Sequence, residues 1–206
     1  MKGLLDDDTD DIFTTYTPEK TKSVVSANKA AQRKLMRKES AAEIISDIGG
    51  LPKMGHFAEI LTNGQSNAGG FYEVIRDQWG KVDCLVLATW IINREYIDML
   101  FSDLQKNILG ELVFVISNRM SQLGKGHAPN FNVLKTKAMA HPRVEFRIAN
   151  SHAKVFAMTN GTDYITVSGS GNWSENPRIE NYCISNDRER YEFHKSWMLE
   201  IAKSKK

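Results

Sequence analysis

Cysteine is scarce in this sequence. Cys84 and Cys183 are the two in 206 residues, far apart and without neighbours at metal-ligand spacing. Both fall in strand-like runs, so two buried thiols in a reducing compartment are favoured over a disulfide. Long hydrophobic runs are also lacking: no stretch of about 18 apolar residues is present, which excludes an ordinary membrane-spanning helix. The opening MKGLLDDDTDD lacks a basic region followed by an apolar stretch, so it does not read as a secretory signal, and a cytoplasmic location is expected. Charge of one sign is lacking too. Lys and Arg number 27 against 25 Asp and Glu, a net charge of +2, and a total that small does not announce a polyanion as partner.

What is present is ordinary globular material: 41% hydrophobic and 25% charged residues, enough to build a core without disulfide or metal staples. The length predicts one domain of about 100–200 residues with a tail. The charge that nearly cancels overall is polarised at the start of the chain. Residues 1–12 carry five Asp and one Lys, whereas residues 13–40 carry seven Lys or Arg and two Glu. We therefore divide the chain into an N-terminal extension, residues 1–55, and a domain, residues 56–206. The acidic start has little to bury and is expected to be disordered. The stretch 26–46 is expected to be helical, with Ser26 or Asn28 as cap. Its Arg33, Lys34, Arg37 and Lys38 suit either a phosphate backbone or a solvated helix face.

Beyond residue 55 the pattern alternates. Strands are expected at 56–61, 82–88, 112–117 and 144–148, the last three apolar enough to be buried on both faces. Helices are expected at 71–79, at 93–107 (with Tyr96, Ile97, Leu100, Phe101 and Leu104 on one stripe) and at 131–140. Gly110 is expected to close the second of these helices, and 118–130, with Gly124-Lys125-Gly126, to be a flexible basic loop. A hairpin pairs 152–158 with 164–168 around Asn160-Gly161, whose positive φ preference suits a tight reversal. A short strand at 182–184 precedes a terminal helix, 188–203, with Phe193, Trp197, Met198 and Ile201 on its apolar face. The fold class is α/β: a mixed β-sheet flanked by helices on both faces.

The chemistry concentrates in residues 151–182. On an extended strand, residues i and i+2 share a face, so His152 and Lys154 project together, as do Ser170 and Asn172. The hairpin brings both pairs to one end of the sheet. Gly169 and Gly171 allow close backbone approach. An imidazole, an ammonium, a hydroxyl and a carboxamide on one spot suit a phosphodiester. Lys154 supplies a point charge to a non-bridging oxygen, and Ser170 and Asn172 donate to the same oxygens as charge builds. His152 serves as nucleophile, and Glu180 is placed to hold the other imidazole nitrogen. No metal ligand set or other cofactor is called for.

His-x-Lys followed by Gly-Ser-x-Asn resembles the signature of the phospholipase D superfamily. The matching residues are His152, Lys154, Gly169, Ser170 and Asn172, and Glu180 resembles the acidic position that follows them in small bacterial nucleases of that superfamily. The resemblance covers residues 56–206. It departs at Thr159, where the superfamily has Asp, and Asp163 is a candidate substitute in the hairpin turn. The resemblance implies a metal-independent phosphodiesterase working through a phosphohistidine, with two motif copies per active site. This chain has one, so a homodimer with a shared site is implied.

A nuclease acting on DNA or RNA is the leading expectation, supported by the basic segment from Lys20 to Lys38. A phospholipase or phosphatidyl transferase would need a lipid-facing amphipathic segment, and none stands out. A catalytically weak nucleic-acid-binding module is the third class. Trp173, Arg119, Lys125 and Arg178 are candidate substrate contacts; core packing is the stronger reading for Trp173, and a solvated role suits each of the three cations equally. His127 is a candidate at an entrance; His56, His141 and His194 lack partners in sequence.

Overall fold

Val82–Thr89 and Leu109–Ser117 are the most apolar runs of the chain, and both lie inside the sheet, packed on both faces. The computed structural model describes residues 29–64, 66–174 and 178–204. Within these, seven strands form one sheet: β1 (His56–Thr62), β2 (Val82–Thr89), β3 (Leu109–Ser117), β4 (Val144–Ala149), β5 (Val155–Thr159), β6 (Tyr164–Gly169) and β7 (Glu180–Asn186). Their order across the sheet is β1-β7-β6-β5-β2-β3-β4. β2, β3 and β4 run parallel, and every other neighbouring pair is antiparallel. The sheet is therefore mixed, as expected. Because β4 is an edge strand, its side chains are only partly buried, unlike those of β2 and β3.

Alternation along β2 feeds two cores. Leu85 and Leu87 face the larger one, with residues of α1 (Lys29–Asp47), α2 (Ala68–Trp79), α3 (Arg94–Gln105) and α4 (Gly124–Ala140). Cys84, Val86 and Ala88 face the smaller one, closed by Tyr191 and Met198 of α5 (Arg188–Lys203). Helices thus cover both faces, four on one and one on the other. Both cysteines are buried free thiols. No helix among the described residues is long and apolar enough to cross a membrane.

The stripe expected on α3 is buried throughout, at Tyr96, Ile97, Leu100, Phe101 and Leu104. Helix α1 overlaps the expected stretch and runs one residue past it, to Asp47, and its Ala41 and Ile45 join the larger core. Two of its cations are paired within the chain, Arg37 in the interior and Lys38 at the surface. Arg37, 7% exposed, pairs with Glu95 and lies over the Tyr96 ring, and Lys38 pairs with Asp77. The acidic stretch, the proposed caps and Lys20 lie outside the described residues, as do the side chains of Arg33 and Lys34.

Several local expectations are corrected. Gly110 does not close α3; that helix ends at Gln105 with Lys106 as its C-cap, and Asn107 follows at positive φ. Gly110 instead lies in β3, where a Cβ would meet the Asp83 carbonyl oxygen at 2.4 Å, so glycine is needed for strand approach. The stretch 118–130 is not a loop. A 3-10 turn, Asn118–Gln122, leads into α4, which takes in Gly124, Gly126 and Pro129 because Phe131, Leu134 and Ala138 anchor it in the core. The hairpin reverses through four residues, since Thr159 pairs with Tyr164. Asn160 caps that turn by accepting from the Thr162 and Asp163 amides (3.0 and 2.8 Å), and only Gly161 has positive φ. On α5, Phe193 is 66% exposed, and the buried face centres on Tyr191 and Met198.

α5 also carries a pH-sensitive contact. Trp197 Nε1 donates to His194 Nδ1 at 3.1 Å, which requires an unprotonated nitrogen there. Burial and the nearby Arg190 charge hold the His194 pKa down to about 4. A depressed histidine pKa favours the fold fully above the unfolded value of about 6.5 and loses that contribution as pH falls toward 4. Wild type is therefore expected to lose more stability than His194→Gln between pH 6.5 and 4. Parallel urea-unfolding curves across that window would check this, and equal pH dependence would contradict it.

Candidate active site

The pairing of β5 with β6 sets the site. The register runs from Thr159–Tyr164 at the turn to Val155–Ser168 at the far end, and the Gly169 amide donates to the Lys154 carbonyl (3.2 Å). The chain entering β5 and the chain leaving β6 therefore lie side by side. That edge is also where β1, β2, β3 and β4 end, the side on which open α/β sheets take ligands.

His152 and Lys154 sit just ahead of β5 rather than within a strand running from 152. The Ala153 amide donates to the Ser151 hydroxyl (3.2 Å) in this approach segment. The i, i+2 relation survives nonetheless: Lys154 Nζ lies 3.2 Å from His152 Nδ1 and 3.3 Å from the His152 carbonyl oxygen. An ammonium can only donate, so this contact uses an imidazole lone pair. The imidazole is exposed and Lys154 half-buried. Burial lowers the Lys154 pKa, and the Glu180 carboxylate opposes that shift.

Ser170 and Asn172 arrive on the opposite side of the hairpin. Ser170 exchanges hydrogen bonds with Asn181 at the start of β7: its amide donates to the Asn181 carbonyl (3.0 Å), and its hydroxyl accepts from the Asn181 amide (3.1 Å). The same hydroxyl donates to Glu180, which is 5% exposed. Glu180 thus orients Ser170, a partner the sequence did not suggest for it. Asn172 is tied through its carbonyl to the Ala68 amide at the start of α2 (3.3 Å). Its Oδ1 lies 3.4 Å from the Thr89 hydroxyl at the end of β2.

The glycines permit this crowding. A Cβ on Gly169 would lie 2.0 Å from the Asn181 carbonyl oxygen, and one on Gly171 would lie 1.8 Å from the Tyr182 hydroxyl. Both are close-approach positions beneath the site rather than substrate contacts. Trp173 is likewise corrected from a candidate substrate contact to a core residue. It is 1% exposed and packs on Tyr72, Tyr96 and Phe156, with ring centroids 5.5–5.7 Å apart. Its backbone bonds Ile91 and Asn93 (3.2 and 2.8 Å), which pins Asn172 against the loop after β2.

Of the other candidates, Arg119 is exposed in the 3-10 turn after β3, and Arg178 is exposed just ahead of β7, both at the site's edge of the sheet. Lys125 falls in the first turn of α4, and its side chain lies outside those described. His127 is also in α4, not in a loop. His56, near the opposite edge, meets the Met54 carbonyl, and His141 ends α4 against the Phe101 ring. Thr159 and Asp163 are both remote, at the turn end of the hairpin. Thr159 accepts from the Gly161 amide (3.0 Å), and Asp163 accepts from Asn186 (2.7 Å). Asp163 thus fastens the turn to β7 and does not approach His152.

Sequence reasoning missed Trp90 as a site residue. It follows β2 directly, its ring centroid 4.9 Å from that of His152, with Lys154 Nζ 5.7 Å from the indole centroid. The available signal was an aromatic residue at the carboxyl end of an apolar strand.

No family model matches the chain, and no curated protein matches it. Among solved structures it is similar to Nuc from Salmonella typhimurium, a phospholipase D family member, at 13% identity and TM-score 0.49, over 71% of this chain and 94% of that one. It is similar to polyphosphate kinase from Porphyromonas gingivalis at 10% identity and TM-score 0.47, over 70% of this chain and 25% of that one. It is also similar to phosphatidylserine synthase from Haemophilus influenzae at 12% identity and TM-score 0.45, over 70% of this chain and 37% of that one.

Proposed function

We propose that this chain is a phospholipase D-like phosphodiesterase, a nuclease hydrolysing DNA or RNA through a phosphohistidine on His152. The observation that carries the reading is the convergence at one sheet edge of an exposed imidazole, an ammonium 3.2 Å from it, and the Ser170 and Asn172 side chains. Arg119 and Arg178 at the same edge supply the positive surroundings that a phosphate backbone favours. Lys125 is the further substrate contact of this reading.

In the proposed reaction Lys154 turns its donors from the imidazole to a non-bridging oxygen of the substrate, and the His152 nitrogen lone pair so freed attacks phosphorus. A P–N bond forms as the P–O bond to the leaving strand breaks. Lys154, Ser170 and Asn172 take the non-bridging oxygens, whose charge grows in the transition state. The leaving oxygen needs a proton, and the attacking imidazole is not available to give it. A second copy of the chain supplies that proton from its own His152, then takes one from the water that cleaves the P–N bond. The homodimer is thus part of the proposal: each chain brings one His152 to a shared site, and the two together make the nucleophile and the acid. No step calls on a bound metal.

The test uses plasmid DNA, single-stranded DNA, RNA and phosphatidylcholine vesicles, each in EDTA, beside His152→Ala. Cleavage of nucleic acid that persists in chelator and falls at least about a thousand-fold in the variant is the expected result. Lipid turnover would redirect the reading to a phospholipase. Binding without turnover would redirect it to a nucleic-acid-binding module. Differentially tagged wild-type and His152→Ala protomers test the shared site: isolated heterodimers should be nearly inactive, and half-activity would contradict a shared site.

A further inference from the structure

We infer that Trp90 is a positioning residue for the His152–Lys154 pair, holding the imidazole and the ammonium in the relation that the proposed reaction needs. The inference rests on the phosphodiesterase reading for its chemistry and on separate geometry for its placement. β2 and β5 pair antiparallel up to Ala88 and Val155, so the residues just beyond, Trp90 on one strand and the His152–Lys154 segment on the other, are brought alongside. The indole meets the imidazole at 4.9 Å between centroids, tilted by 49°, and the same indole lies 5.7 Å from Lys154 Nζ. With the 3.2 Å contact between Nζ and Nδ1, the three groups close a triangle in which each touches the other two.

The need for such a brace follows from where the pair sits. His152 is exposed on the rim, in a segment outside the strand ladder, and Lys154 carries a flexible four-carbon stem. Neither would hold one rotamer unaided against the entropy of an exposed side chain. An aromatic face attracts a cation and stacks on an imidazole, so one indole restrains both groups. The Trp90 ring is half-buried at the end of a central strand, a rigid base for this purpose. Thr89, the residue before it, is buried and faces Asn172, so the last residue of β2 and the one that follows it reach both halves of the motif.

Trp90→Leu and Trp90→Phe, assayed on bis(p-nitrophenyl) phosphate, test the inference. This small diester has no nucleobase, so a nucleobase contact cannot account for a loss of kcat, and stacking of its nitrophenyl rings would show in KM. Trp90→Leu should lower kcat about ten- to hundred-fold with little change in KM, the signature of a misplaced nucleophile. Trp90→Phe, which keeps an aromatic face, should recover most of that loss. Unchanged kcat in Trp90→Leu, or a loss seen on DNA but not on the small diester, would overturn it. Nuclear Overhauser contacts between indole and His152 ring protons in the wild-type protein, assigned with His152→Gln, decide the placement whether or not the leucine variant folds. Their absence would overturn the inference. If wild type cleaves no phosphodiester while those contacts are present, the functional reading fails and the placement of Trp90 stands.

Discussion

Everything proposed for this protein depends on the register of one hairpin. Val155 opposite Ser168, with the Gly169 amide on the Lys154 carbonyl, sets the entering and leaving chains of β5 and β6 side by side. A slip of one residue would turn every hairpin side chain to the other face, sending the alternating residues of β5 into the wrong core. Burial therefore fixes the register. Phe156 and Met158 must enter the larger core, and Val155 and Ala157 the smaller one. The packing that stabilises the fold is the same packing that aligns His152 and Lys154 with Ser170 and Asn172.

A second layer holds the motif against its neighbours. Trp173, buried among three aromatic rings, fastens the segment after β6 to the loop after β2. Large buried aromatics of this kind contribute about 3–5 kcal/mol each when truncation to alanine is the measure, enough to fix a local backbone course. Gly169 and Gly171 allow that course to run against Asn181 and Tyr182 without a Cβ between them. Glu180 lies under Ser170 and receives its hydroxyl, while its charge acts on Lys154. The exposed polar groups of the site thus stand on buried ones whose own positions are set by the core.

Much of this was legible in sequence because it rests on short-range periodicity. The i, i+2 spacing of His152 with Lys154 and of Ser170 with Asn172, and the turn residues between them, foretold the convergence. The strict apolar runs of β2 and β3 foretold a central position. What was not legible depends on contacts between distant segments. Gly110 reads as a helix terminator, yet its role is set by the Asp83 carbonyl of the neighbouring strand. Gly124, Gly126 and Pro129 read as a loop, yet core packing by Phe131 and Leu134 extends a helix over them. Trp173 adjoins the motif, yet adjacency along the chain does not decide which face a side chain takes, and core packing, the stronger reading of its indole, is what the fold realises. Trp90 was overlooked for the converse reason: it lies about sixty residues from His152 in sequence and meets it only through the β2–β5 pairing.

The central claim is that His152 is a nucleophile on phosphorus. It is tested most directly by trapping the covalent intermediate. Wild-type protein mixed with a slow phosphodiester substrate and quenched in alkali should carry a phosphoryl-linked adduct on His152. The adduct should be acid-labile, located by peptide mass spectrometry and absent in His152→Gln. Substrate turnover with no such adduct, together with one-step inversion of a chiral thiophosphoryl substrate in place of the overall retention expected of two displacements, would contradict it.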